Sequence, residues 1–102
     1  MTFDVIVAAG AERDWNEAVD WYEEREPGLG LRFTDELCGF LQTLAHGPER
    51  FPRATRLTRK AKMPLPWPHS VYFTVNTARR QVIVLAVWHG ARNPAGLRHR
   101  VK

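Results

Sequence analysis

A chain of 102 residues, 44% hydrophobic and 25% charged, is expected to form one ordinary soluble globular domain over residues 1–102, with an adequate but modest core. The longest dense apolar run, Val82 to Trp88, is seven residues, too short to span a membrane, and no secretory signal is visible after Met1. Charge is divided sharply: all eleven Asp and Glu residues lie at or before Glu49, whereas twelve of the fifteen Lys and Arg residues follow it. One surface should therefore be strongly cationic, suited to phosphate or to an acidic protein partner. Any carboxylate acting on the second half must come from the first half through the fold. The single cysteine, Cys38, excludes an internal disulfide and fits a reducing, cytoplasmic setting.

Thr2 to Ala8 reads as a strand, with Phe3, Val5 and Val7 alternating against Thr2, Asp4 and Ile6, and Ala9-Gly10 should end it. A first helix follows, roughly Ala11 to Arg25, its apolar stripe made by Ala11, Trp15, Ala18, Val19 and Tyr22. Pro27-Gly28-Leu29-Gly30 is a turn. The second helix runs from about Leu31 to Ala45 through Phe33, Leu37, Phe40, Leu41 and Leu44, and Gly47-Pro48 stops it. The short turn implies an antiparallel helical hairpin.

The second half reads as extended. A weak strand signal covers Ala54 to Thr58. In Met63-Pro64-Leu65-Pro66-Trp67-Pro68, prolines at alternate positions exclude a central strand. The segment is either a rigid surface loop or an arm that presents Trp67 to a partner. Val71, Phe73 and Val75 alternate with Tyr72, Thr74 and Asn76, and the former set should face the helices. Thr77 to Arg80 is a hairpin turn. Val82 to Trp88 does not alternate and reads as a central strand covered on both sides, with Val84 and Ala86 in the core. The order β-α-α-β-β-β predicts an α+β fold, a small antiparallel sheet with the helical hairpin on one face. The other face, partly apolar, is expected to be a binding surface.

His89 and Arg92, after the central strand, suggest a general acid/base and a phosphate-gripping cation. The alternative is a ring satisfied by backbone and a solvated charge. Arg53, Arg56, Arg59, Lys60 and Lys62 form one basic run, and Arg98, Arg100 and Lys102 a second. Either a nucleic-acid contact or a solvated face accounts for them. Trp67, Tyr72 and Trp88 are candidates for base stacking or for the core. No metal-ligand spacing, phosphate loop or cofactor motif is visible.

Several segments resemble the RelE/ParE toxin superfamily, above all its ParE-like branch. They are Ala18-Val-Asp-Trp-Tyr22 with the hairpin that follows it, Pro48-Glu-Arg-Phe-Pro52, Pro68-His-Ser-Val-Tyr-Phe-Thr-Val75 and Val84-Leu-Ala-Val-Trp-His-Gly-Ala-Arg92-Asn-Pro94. The resemblance covers nearly the whole chain. It implies a toxin of a type II toxin–antitoxin module, neutralised by a small antitoxin whose acidic C-terminal segment wraps it. For a ParE-like member the implied target is DNA gyrase and the protein is not itself an enzyme. For a RelE-like member the implied activity is mRNA cleavage on the ribosome, with His89, Arg92, Lys60 and Lys62 as the candidate set. A decayed toxin surviving as an antitoxin- or DNA-binding module is a third reading. Ser70 stands where RelE-like members carry an arginine, Arg98 lies near the place of their C-terminal tyrosine, and His69-Ser70 replaces the aromatic-arginine pair common in the ParE-like branch. Partner or target binding is expected at Arg56, Arg59, Lys60, Lys62, Trp67, Tyr72, Trp88, Arg92, Arg98 and Arg100.

Overall fold

The computed structural model describes residues 2–101. Strand β1 (Asp4–Val7) leads directly into helix α1 (Ala9–Arg25), which is followed by α2 (Leu29–His46), a 3₁₀ turn (Pro48–Arg50), β2 (Arg59–Lys62), β3 (His69–Asn76), β4 (Gln81–His89) and a second 3₁₀ segment (Pro94–His99). The strands form one sheet in the order β1-β4-β3-β2, with the helical hairpin against one face. This is the expected α+β arrangement. One pairing departs from the antiparallel expectation: β1 lies parallel to β4, Asp4 opposite Gln81 and Val7 opposite Val84. A parallel pair needs a long crossover, and the whole of the chain between them supplies it.

Two local boundaries also differ. The first strand ends before Ala9-Gly10, as expected, but these residues already form the first turn of α1, with the Glu12 N–H donating to the Ala8 carbonyl at 3.0 Å. Ala54 to Thr58 is a turn, not a strand, closed where the Ala54 N–H donates to the Thr58 carbonyl at 2.8 Å, and the strand begins only at Arg59.

Three residues set the hairpin turn. Gly28 has φ of 91°, a left-handed conformation that costs a side chain energy. Gly28 gives α2 no side-chain cap, and Glu23 of α1 fills that role, accepting from the Gly28 N–H at 3.1 Å and the Gly30 N–H at 2.8 Å. These backbone donors, Gly28 first, hold the Glu23 pKa below the ordinary glutamate value. At Gly30 the two helices touch: a Cβ there would lie 2.7 Å from both the Val19 carbonyl oxygen and the Glu23 Cγ.

The main core lies between hairpin and sheet. Phe33, Leu37 and Leu44 from α2 are fully buried against Val71 and Phe73 of β3 and Val82 and Val84 of β4. The β3 register is the one expected from its alternation, since Phe73 is enclosed on the helix side while Tyr72 lies half-buried on the other. Trp15, Val19 and Phe40 are half-buried at the core's margin. Ala86 is buried on the other face, not among the helices.

A bulge explains that switch. Tyr72 pairs with Ala86 and Phe73 with Val84, so Leu85 is an extra residue in β4. Before it, Val82 and Val84 face the helices; after it, Val87 does, and Ala86 and Trp88 turn to the opposite side. There they meet Leu97, and Tyr72 and Val101 pack around them. The C-terminal segment thus covers part of the face expected to be open.

Replacing Gly30 by Ala should lower stability by about 1–3 kcal/mol, because both close contacts are with parts of α1 that have little room to yield. Chemical denaturation compared with wild type measures it, and an unchanged midpoint would show that the helices separate freely.

Candidate functional site

The parallel edge strand ends before β4 does. β1 pairs only as far as Val84, with the Ala8 N–H donating to the Val84 carbonyl at 2.9 Å. Beyond it β4 has backbone groups facing α1 with no strand to receive them. Asp14, on the second turn of α1, takes that place: its Oδ2 accepts from the Val87 N–H at 3.0 Å. The same carboxylate, only 4% exposed, receives two guanidinium groups. Arg100 donates at 2.6 Å to Oδ2 and at 2.8 Å to Oδ1, and Arg92 donates at 2.9 Å to Oδ1. Arg100 also reaches the Leu85 carbonyl at 3.4 Å. Both guanidinium groups lie over the buried Trp88 ring, at 3.8 Å for Arg92 and 5.2 Å for Arg100. Hydrogen bonding to Asp14 raises the Arg100 pKa above its ordinary value. Gly10 is needed on this path, since a Cβ there would meet the Arg100 side chain at 3.0–3.2 Å.

Beside the cluster, α1 and the end of the sheet enclose a hollow of about 380 Å³ that includes Ala18, Trp21, Tyr22, His69, Val87 and His89 in its wall. His69 and His89 are a cross-strand pair, their rings edge to face at 5.1 Å. The His89 Nδ1 accepts from the Ala91 N–H at 2.9 Å, so a neutral ring carries its proton on Nε2. His69 is 4% exposed, and its Nδ1 has no hydrogen-bond partner among the described residues. Burial, and then the neighbouring His89, push its pKa down to about 4, with Asp14 opposing them. At neutral pH it is an uncharged ring. Burial raises the Tyr22 pKa.

The residues singled out in the sequence are thereby divided. Lys60 and Lys62 stand exposed on the edge strand β2, opposite Tyr72 and Ser70, and Ser70 in turn lies opposite Trp88. This is the sheet face turned away from the helices. His89 shares the helix face with His69. The histidine and the two lysines are therefore on opposite sides of the sheet. Arg92 lies at the sheet's end, and both it and Arg100 are engaged by Asp14. Arg59 is also used internally, donating to the Glu49 carbonyl at 3.1 Å and the Phe51 carbonyl at 2.7 Å. Arg56 and Arg98 are exposed.

Trp67 does not stand out on an arm. It is 3% exposed, with Tyr22 at 5.1 Å and Phe33 at 5.2 Å, both edge to face. The residue that protrudes from the proline-rich segment is Leu65, at 87% exposure. Trp88 is likewise a buried ring and not a stacking platform. Among the described residues no group of three or more His, Cys, Asp and Glu is placed to hold a metal ion, and no helix is long and apolar enough to cross a membrane.

Sequence reasoning missed Asp14, His69 and Trp21. Asp14 was detectable in one respect: it falls three residues after Ala11 and four before Ala18, inside the apolar stripe.

A small helical hairpin on a mixed sheet is a fold shared with solved toxin structures. The chain belongs to the family described as the ParE toxin of the type II toxin–antitoxin system parDE, whose pattern it matches over residues 5–94. It is thus a toxin-type member of the RelE/ParE superfamily. It is 32% identical over 91 residues to Toxin RelE1 of Caulobacter vibrioides, covering 88% of this chain and 96% of that one. Its fold is similar to that in the chromosomal ParDE system from P. aeruginosa, with a TM-score of 0.74 at 16% identity over 86% of this chain and 96% of the other. It is also similar to the toxin–antitoxin complex RelBE2 from Mycobacterium tuberculosis, with a TM-score of 0.67 at 18% identity over 87% and 99%. A mutant of E. coli toxin RelE in the free state gives a TM-score of 0.68 at 16% identity over 95% and 93%.

Two outcomes follow. Asp14→Ala should cost about 3–5 kcal/mol, since it leaves the Val87 N–H and two guanidinium groups without their acceptor. Arg92→Ala should cost less, because Arg100 keeps both of its bonds to the carboxylate. Equal losses in thermal denaturation would contradict this ranking. The second concerns acid. The unfolded chain takes up a proton at His69 near pH 6.5 and the folded chain only near 4. The contribution of neutral His69 is therefore full above about pH 6.5 and lost progressively as pH falls toward 4. Wild type should lose more stability than His69→Phe between pH 7 and 4.5, and parallel pH profiles would refute it.

Proposed function

We propose that the chain is the toxin of a type II module that acts in the cytoplasm, is neutralised by a small antitoxin, and poisons DNA gyrase by binding, without cutting RNA itself. The observation that carries this is the division of the candidate catalytic residues. RNA cleavage at a 2′-hydroxyl needs a base, a charge at the scissile phosphate and an acid for the leaving oxygen, all within reach of one phosphate. Here His89 is on one face of the sheet, Lys60 and Lys62 are on the other, and the two guanidinium groups at the sheet's end are held by Asp14. By the family resemblance, Ser70, a neutral hydroxyl, stands where RelE-like members carry an arginine. The absence of one preorganised charge typically costs on the order of 10²–10³ in rate.

A second reading is favoured by one specific feature. Lys60, Lys62, Tyr72 and Ser70 share the face away from the helices, with the Lys60 Nζ 5.8 Å from the centre of the Tyr72 ring. Two cations beside an aromatic ring suit a ribonucleotide chain, as a ribosome-dependent mRNA endonuclease requires. The similarity to a toxin named RelE1 points the same way.

Expression without antitoxin, followed by primer extension on cellular mRNA and by a gyrase cleavage assay, separates the two. Gyrase-dependent DNA breaks with intact mRNA are expected. Codon-positioned mRNA cuts that vanish in Lys60→Ala or Lys62→Ala would establish the second reading, and inactivity in both assays would leave a module that only binds antitoxin or DNA. Association with an acidic antitoxin should slow as ionic strength rises, because twelve of the fifteen basic residues lie in the second half of the chain. Stopped-flow rates independent of salt would remove the electrostatic contribution.

A further inference from the structure

The end of the sheet opposite the Asp14 cluster carries a different set of cations. There β3 turns into β4 after Asn76, and the basic loop before β2 lies beside that turn. Arg53, Arg56 and Leu57 share a hollow of about 130 Å³ with Val75 and Thr77. The loop is closed by its own hydrogen bonds. The Ala54 and Thr55 N–H groups both donate to the Thr58 carbonyl, at 2.8 and 3.1 Å, and the Thr58 N–H donates to the Thr55 Oγ1 at 3.2 Å. Thr58 is fully buried and anchors the turn, while its neighbour Leu57 is 66% exposed and belongs to neither hydrophobic core. A leucine is thus held out in water at the tip of a fixed basic turn.

The arginines around this turn divide by what they touch. Arg59 donates to two carbonyls, Arg50 donates to the Thr43 carbonyl at 3.2 Å and lies over the Phe51 ring, and Arg80 lies over the Phe3 ring at 4.6 Å. Arg53, Arg56 and Arg79 are exposed, and among the described residues no carboxylate pairs with any of them. Arg53 uses one nitrogen on the Arg56 carbonyl at 2.9 Å, and the Arg79 backbone N–H donates to the Asn76 Oδ1 at 3.1 Å, so both turns hold their arginines in place. No Asp or Glu occurs from Arg50 to Arg80. The acids that come near are Glu49, in the wall of the hollow, and Asp4, whose N–H donates to the Arg80 carbonyl. Three guanidinium groups without counter-charge repel one another and attract a polyanion.

The kind of polyanion follows from the other groups at this end. Single-stranded RNA is held by exposed rings on which its bases stack. Phe51, the aromatic residue of this loop, is half-buried and packs edge to face on Phe73 at 6.1 Å. Duplex DNA is held by guanidinium groups on its phosphates, and an apolar side chain between them can enter its minor groove. We infer that the turn over residues 53–59, with Arg79 beside it, is a contact for duplex DNA: Arg53, Arg56 and Arg79 bind phosphates, and Leu57 lies in the minor groove. That this DNA is the segment held by gyrase rests on the reading of the chain as a gyrase poison. The contact lies at the far end of the sheet from Asp14, so DNA bound there leaves the hairpin and the histidine pair uncovered.

The test uses the full chain and a short fluorescent DNA duplex of mixed sequence, with anisotropy read at salt concentrations from about 50 to 200 mM and folding checked by circular dichroism. Three phosphate contacts give an expected slope of about −2.7 in log affinity against log salt. Arg53→Gln, Arg56→Gln and Arg79→Gln should each make the slope shallower by about 0.9 and weaken binding severalfold at the lowest salt. Leu57→Ser should weaken binding at least about threefold with the slope unchanged, because it removes no charge. Arg13→Gln, which removes an exposed charge from α1, should keep the slope and stay within about twofold. Turn variants that behave like Arg13→Gln, or a wild type that does not bind the duplex, would overturn the inference and leave the gyrase reading intact. Tighter binding of a single-stranded RNA of equal length, or equally effective displacement of the duplex by polyglutamate, would assign the turn to another polyanion and also overturn it. In the gyrase cleavage assay the turn variants should produce fewer breaks than wild type. Duplex binding through these residues with no gyrase-dependent breaks in wild type would overturn the gyrase reading and leave the DNA contact in place.

Discussion

Asp14 is the acidic side chain that the fold takes out of water, and it joins parts of the molecule that sequence order keeps apart. A carboxylate in such a place is stable only if its charge is matched and its oxygens are supplied with donors. Two guanidinium groups and the Val87 N–H meet both needs. The consequence is a division of labour among the basic residues. Arg92 and Arg100 contribute to the sheet's unfinished edge, and Arg59 holds the Phe51 turn by its carbonyls. The cationic half is therefore not simply a docking surface, since part of its charge serves the fold.

The bulge at Leu85 is the second determinant. By reversing the parity of β4 it lets one strand supply two cores, the large one under the helices and the small one around Trp88 and Leu97. Without it, Val87 would turn away from the helices and Trp88 toward them. The site depends on that reversal, because the Trp88 ring beneath both guanidinium groups sits on the far side while the backbone of Val87 meets Asp14.

What was legible in the sequence was whatever repeats. The stripe of Phe33, Leu37, Leu41 and Leu44 gave α2, and the alternation of Val71 and Phe73 gave the face of β3, because a buried face imposes its period on the residues that form it. The lack of alternation in Val82 to Trp88 indicated burial on both sides, and Ala86 is buried as expected, but a bulge has no signature in one sequence, so the face that Ala86 takes was not legible. The sequence left Trp67 open between loop and arm, because proline spacing describes the backbone and says nothing of where the intervening ring turns. The site was least legible. Charge counting required a carboxylate from the first half to serve the second. Which of the acids it was depended on where β1 stops, and strand ends are set by tertiary pairing.

The pairings that complete the molecule join residues far apart in the chain. Asp14 meets Arg92 across 78 positions and Arg100 across 86, and β1 waits for β4 throughout. On the ribosome the helical hairpin and its turn emerge early, since their contacts are local, whereas the sheet edge and its buried carboxylate are satisfied only after residue 100 has been released from the exit tunnel. Until then the nascent chain presents an unpaired edge strand and an Asp14 carboxylate without its two guanidinium partners. A protein built this way acquires its finished surface only when the last of these distant segments is in place.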